Sequence, residues 1–126
     1  MIAKMEDVKK AISDDEITVI DSREYSRYIG ESEPIDKKAG HIPGARHYYW
    51  KDSLDENGYW KSKEQQQNRF INIKKENTII VYCGSGVTAC PNVISLQQAG
   101  YDKIKLYVGS WSDWISYKDN LIARIE

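Results

Sequence analysis

Three short groups of residues carry side chains able to do chemistry: Cys83 followed by Gly84-Ser85-Gly86, Asp21 with Arg23 and Arg27, and Gly109-Ser110-Trp111. A cysteine is a strong nucleophile only as its thiolate, and a thiol with a pKa of about 8.5 is mostly protonated in the cell, so neighbours must stabilise the anion. Glycines at positions 84 and 86 are expected to take positive φ, letting the backbone N–H groups of Gly84, Ser85, Gly86, Val87 and Thr88 converge on one point. A helix starting directly afterwards adds its own unpaired N–H groups and roughly half a positive charge. Such a nest suits a thiolate, and equally a thiolate carrying a second sulfur. A cysteine buried as a small hydrophobe beside an ordinary turn would fit the same residue types. The alternate glycines and the abrupt change of pattern favour the nucleophile.

The elements that position these groups follow from periodicity. Thr78 to Tyr82 is an apolar, β-branched run read as a buried strand, and Pro91 to Ala99 continues a helix that Gly100 caps, with the proline in the first turn. Met5 to Ile12 reads as a helix, Ile17 to Ile20 as a short strand and Arg23 to Ile29 as a short helix. Gly30 to Gly40 is a polar loop, and His41-Ile42-Pro43-Gly44 a turn in which His41 has a structural role. Ala45 to Tyr49 is a further strand, Lys63 to Ile73 a polar amphipathic helix, Ile104 to Val108 a strand, and Trp111 to about Tyr117 a last helix. Trp111 and Trp114 share a face and belong mainly to the core, with Trp111 also placed to wall a pocket. Strands alternating with helices argue for an α/β fold with a parallel sheet covered on both faces, whose ligands sit beyond the carboxyl ends of the strands. Asp21, Cys83 and Gly109-Ser110-Trp111 then meet at one edge.

Composition bounds the function. The 126 residues fit one domain, and a net charge of −1 gives no basic excess for nucleic acid. No apolar run reaches the roughly 18 residues of a membrane span, and the first residues do not make a signal peptide, so a cytoplasmic protein is expected. Cys83 and Cys90 fit a reducing compartment better than a disulfide scaffold, and Cys90 is read as buried and structural. No paired Cys or His spacing supports a metal site, and no cofactor is called for.

Asp21-Ser22-Arg23, Arg27-Tyr28-Ile29-Gly30, Gly40-His41-Ile42-Pro43-Gly44-Ala45, Cys83 to Cys90 and Gly109-Ser110-Trp111-Ser112-Asp113-Trp114 occur in the order and spacing of the rhodanese-type sulfurtransferases. The resemblance runs from about Met5 to Leu121 and is greatest to the carboxyl-terminal, catalytic half of two-domain thiosulfate or 3-mercaptopyruvate sulfurtransferases. It implies a five-stranded parallel sheet with helices on both faces. It implies that Cys83 takes the sulfane sulfur of a small anionic donor as a persulfide and passes it to a thiol or cyanide acceptor. Arg27 matches the arginine that binds the donor, and Asp21 would orient that arginine or the loop. The uncharged Gly84-Ser85-Gly86 resembles the mercaptopyruvate type. An arginine usual soon after the Glu-Pro pair is absent, however, since Glu33-Pro34 is followed by Ile35-Asp36 in a shortened loop, leaving Arg23 or Arg46 as substitutes for a second carboxylate clamp. The chain is expected to be one rhodanese-like domain, either natural or the catalytic half of a longer protein whose amino-terminal half would be its partner.

Two rivals remain on the sequence. Cysteine-dependent phosphatases share this fold but need an arginine six positions after the cysteine, where this chain has Ala89. A non-enzymatic persulfide carrier or regulatory module would keep the same motifs.

Overall fold

A computed structural model describes residues 2–84 and 89–124. The elements in chain order are β1 (Ile2–Ala3), α1 (Met5–Ala11), β2 (Ile17–Asp21), α2 (Tyr25–Tyr28), β3 (Arg46–His47), a 3-10 turn (Trp50–Ser53), α3 (Lys63–Arg69), β4 (Thr78–Tyr82), α4 (Cys90–Gln98), β5 (Ile104–Tyr107) and α5 (Ser110–Trp114). The strands form one five-stranded sheet in the order β1-β5-β4-β2-β3, every pair parallel. β4 is central, so the cysteine that follows it leaves the middle of the sheet.

The two-residue period of the strands divides the core. Val19, Ile80, Tyr82 and Tyr107 pack with Val8 and Ala11 of α1, Tyr28 of α2 and both Trp111 and Trp114 of α5. Ile20, Ile79, Val81 and Cys83 face the other way, towards Phe70 and Ile73 after α3, Leu96 on α4 and Ala99 at its end. Helices therefore cover both faces, as the alternating pattern required.

Several element ends differ from expectation for local reasons. α2 starts at Tyr25 because the Arg23 N–H donates to Asp21 Oδ1 at 2.9 Å, folding residues 21–23 into a side-chain turn before the helix can begin. α3 starts sharply, since Ser62 and Gln65 cap one another's backbone N–H groups at 3.2 and 2.8 Å. It ends at Arg69, four residues before Ile73, and the Tyr101 hydroxyl lies 2.8 Å from the Phe70 carbonyl and 2.6 Å from that of Ile73. β1 and β3 have two paired residues each, too few to show a period. After α5 the chain returns to the segment before β3, where Ala123 and His41 exchange backbone hydrogen bonds of 2.8 and 2.9 Å in an isolated antiparallel bridge.

Candidate active site

Cys83 is fully buried where β4 ends, between the carboxyl ends of β2 and β5. Its surroundings come from the turn after β5. The Cys83 N–H donates to Ser110 Oγ at 3.0 Å, and the same oxygen lies 3.8 Å from Cys83 Sγ and 2.8 Å from the Tyr107 carbonyl. The hydroxyl has one proton, which can go to the carbonyl or to the sulfur. Ser110 is held at φ +56°, a left-handed conformation that costs a non-glycine residue about 1 kcal/mol or more. Next along, the N–H groups of Trp111 and Ser112 donate to the carbonyls of Cys83 and Gly84 at 2.9 and 3.1 Å. The first turn of α5 thus fixes the backbone of the cysteine and of the residue after it. The serine was visible in the sequence only as a member of a motif; its strained conformation has no sequence signal.

Gly84 departs from the expected reason for a glycine. Its φ is not positive; instead, a Cβ there would lie 3.0 Å from Nη2 and 3.2 Å from Nη1 of Arg27. The glycine makes room for a guanidinium, which therefore lies one residue from Cys83. Ser85, Gly86, Val87 and Thr88, expected to complete the nest, lie outside the described residues.

Arg27 is held by the polar loop after α2. Nη2 makes a 3.0 Å ion pair with Glu33 Oε2 and lies 3.6 Å from Asp36 Oδ2. Asp36 Oδ1 accepts from Ser112 Oγ at 2.8 Å, and Ser112 Oγ is also 3.0 Å from the Gly84 carbonyl. Among the described residues, neither Arg27 Nε nor Asp36 Oδ2 has a hydrogen-bond partner.

Asp21 orients a different arginine from the one expected. Its two oxygens receive Nε and Nη2 of Arg23, the closest contact 2.7 Å, while Tyr82 donates its hydroxyl to Oδ2 at 2.6 Å. Arg23 continues to the Gly40 carbonyl and to Glu33 Oε1, and its guanidinium stacks 4.7 Å from the Trp111 ring. Trp111 has no exposed surface and donates its indole N–H to the Lys38 carbonyl, so it carries Arg23 from below rather than lining an open wall. Burial lowers the pKa of Arg23, but its hydrogen bond and charge contact with Asp21 outweigh this and raise it overall. Tyr82 is pushed well above the usual phenol range by burial first and by the Asp21 charge second. Glu33 joins the two arginines, so the Asp21–Arg23 pair supports Arg27 indirectly.

Neither substitute for a second carboxylate clamp is in place. Arg23 is buried in its ion pair, and Arg46 donates to the Asn72 carbonyl beside a cleft lined by Asp14, Ile17, Thr18 and Asn77, at the amino ends of the strands and so away from Cys83. His41 is structural: it stacks on Tyr28 at 3.9 Å between ring centres, and its Nδ1 lies 2.6 Å from the Tyr28 carbonyl. Cys90 differs from its expected burial, being exposed on the first turn of α4. Beneath that helix, buried Asn92 donates to Ser22 Oγ and the Tyr48 carbonyl and accepts from Arg69 Nη2 at 2.7 Å. Sequence reading missed this network, because a lone Asn inside a helix carries no pattern. Among the described residues there is no cluster of His, Cys, Asp and Glu suited to a metal ion.

Residues 4–117 match the model of the Rhodanese-like domain. The chain belongs to that family. Over 103 residues, 79% of the chain, it is 43% identical to a protein of Pseudomonas aeruginosa named probable 3-mercaptopyruvate sulfurtransferase. Over 117 residues, 90% of the chain, it is 35% identical to the human 3-mercaptopyruvate sulfurtransferase. These alignments cover 36% and 39% of the relatives, so this rhodanese-like chain spans about two fifths of their length. Among solved structures, the wild-type structure of EanB superposes over 99% of the chain and 32% of its own length, with a TM-score of 0.89 at 18% identity, a likeness of fold. No helix among the described residues of the rhodanese-like chain is long and apolar enough to cross a membrane.

Proposed function

We propose that this rhodanese-like chain is a sulfurtransferase domain in which Cys83 carries the sulfur. The observation that supports this most directly is the placement of Cys83 at the end of the central strand, with Ser110 Oγ 3.8 Å from its sulfur and the Arg27 guanidinium against Gly84. The names of relatives at 35% and 43% identity point to the same chemistry. In the first half-reaction the Cys83 thiolate attacks the outer sulfur of a small anionic donor, either thiosulfate or 3-mercaptopyruvate. The bond from that sulfur to the rest of the donor breaks, its electron pair leaving as sulfite or as the enolate of pyruvate, which takes up the proton given up by the donor's thiol. Cys83 is left as a persulfide anion. In the second, a thiol or cyanide attacks the terminal sulfur, the S–S bond breaks, and the electron pair returns to Cys83 as thiolate. Two displacements replace one difficult transfer.

Arg27 serves the first step by binding the donor's anionic group, for which a planar guanidinium offers a two-point match. Ser110 holds the Cys83 amide and offers a proton donor to the sulfur anion. A partner is also proposed: an amino-terminal rhodanese-like unit of the kind that the greater length of the relatives allows. Mass spectrometry of the chain after either donor tests the reading. Cys83 should gain one sulfur, about 32 daltons. An absence of the adduct with both donors, or the same adduct in Cys83→Ser, refutes it.

A further inference from the structure

The groups around Arg27 are unusual for a site that takes anions. Asp21, Glu33 and Asp36 stand against Arg23 and Arg27, so three carboxylates face two guanidiniums and leave one net negative charge in the network. Asp21 and Glu33 are used structurally, the first on Arg23 and Tyr82, the second between the two arginines and on the N–H of Asp36. Asp36 is different. One oxygen accepts from Ser112, and the other, buried and without a hydrogen-bond partner among the described residues, lies 3.6 Å from the arginine that is already paired with Glu33. A carboxylate in this position supplies charge beyond what holding Arg27 requires. It is also close to the nucleophile, since Ser112 Oγ joins Asp36 to the carbonyl of Gly84.

We propose that Asp36 selects the sulfur donor by charge, disfavouring doubly charged donors and admitting singly charged carboxylates. The inference rests on the sulfurtransferase reading. The Coulomb energy between Asp36 and a donor is proportional to the donor's charge, so thiosulfate, a dianion, feels twice the repulsion that the monoanion 3-mercaptopyruvate feels at the same distance. Arg27 attracts both donors, but Glu33 and Asp36 offset that attraction. The carboxylate therefore works as a counterweight that leaves enough positive charge for one negative group.

The test is the rate constant for loading sulfur onto Cys83 at limiting donor, measured at low salt for thiosulfate and for 3-mercaptopyruvate, in the native chain, Asp36→Asn and Asp36→Glu. Removing the charge should raise both rates, and the gain for the dianion should be about the square of the gain for the monoanion, for example about tenfold against about threefold. Asp36→Glu, which keeps the charge, should retain the native donor ratio. If Asn disturbs the Ser112 contact enough to prevent folding, Asp36→Ala removes the charge without a polar group and gives the same comparison. Equal changes with both donors, or a ratio that moves towards 3-mercaptopyruvate, overturn the inference while the sulfurtransferase reading stands. Failure of the native chain to load sulfur from either donor overturns both.

Discussion

The guanidinium of Arg27 occupies the space that a side chain on Gly84 would need, with Nη2 3.0 Å and Nη1 3.2 Å from the position of a Cβ. The residue after the proposed nucleophile and the arginine proposed to bind the donor are thus fitted to one another across more than fifty positions of sequence. Gly84→Ala should leave the fold intact, because the group it meets is the far end of a flexible side chain. It should nevertheless displace Arg27 and lower the rate of sulfur loading by about tenfold, the order of effect expected when a positioning contact is lost. Thermal melting and single-turnover loading, run side by side, separate the two outcomes.

Ser110→Ala removes the acceptor of the buried Cys83 N–H as well as a hydroxyl 3.8 Å from the sulfur. An unsatisfied buried donor costs about 1–3 kcal/mol, so a lower urea midpoint is expected together with slower loading. Ser110→Gly relieves the left-handed backbone yet still lacks the hydroxyl. It should recover part of the stability relative to alanine but none of the rate.

Asp21→Asn takes from the buried Arg23 guanidinium the closer of its two ionised partners, leaving only Glu33. Breaking such a pair from one side typically costs about 3–5 kcal/mol, and denaturant unfolding should show a loss of that order. The Arg27 end of the network should loosen too, because Glu33 holds both arginines.

His41 gives the fold an acid-sensitive side. Burial lowers its pKa from the usual value of 6.5, with the Tyr28 carbonyl and the Asp21 charge acting in the opposite direction. The folded pKa lies below the unfolded one, so the unfolded chain binds the proton first. This contribution to stability is complete above about pH 6.5 and is lost as pH falls through the folded value. Melting temperature should fall between pH 7.5 and 5, and the slope should be shallower in His41→Gln. Tyr82 acts at the other extreme: its pKa is raised on folding, so its contribution is complete below about pH 10 and is lost as pH rises beyond that.

Asn92→Ala removes one residue that joins Ser22, Tyr48 and Arg69 beneath α4. Burial lowers the pKa of Arg69 to about 10 against the opposing charge of Asp52, and among the described residues its guanidinium hydrogen-bonds to neutral acceptors, so the loss of the Asn92 oxygen is costly. A destabilisation of about 2–3 kcal/mol is expected by urea unfolding, from hydrogen bonds to a charged group and from acceptors left buried.

Much of this arrangement is legible in the sequence where a local rule governs it. Cys83 stands out because an apolar strand, a glycine loop and a helix follow one another without interruption. Arg27, Asp21 and the tryptophans fall in motifs whose spacing carries a family resemblance. The sequence is silent where pairing is irregular. Nothing in Glu33-Pro34-Ile35-Asp36 says that two carboxylates fold back onto Arg27, since a loop has no period to align them. The orientation of Asp21 towards Arg23 rather than Arg27 depends on a turn only two residues long. A loop glycine suggests a positive φ, whereas Gly84 leaves space for Arg27, and both needs select the same residue. Exposure of Cys90 was equally hidden, because one turn of helix decides which way it faces.

The amides of Trp111 and Ser112 donate to the carbonyls of Cys83 and Gly84 while belonging to residues that no sulfur reagent modifies. They are therefore built-in spectroscopic reporters. A shift of charge or length at the cysteine should appear in their proton and nitrogen resonances, and their slow exchange with deuterium should record how firmly the loop is anchored. Occupancy of the nucleophile can then be followed from across the sheet, with the sulfur itself left untouched.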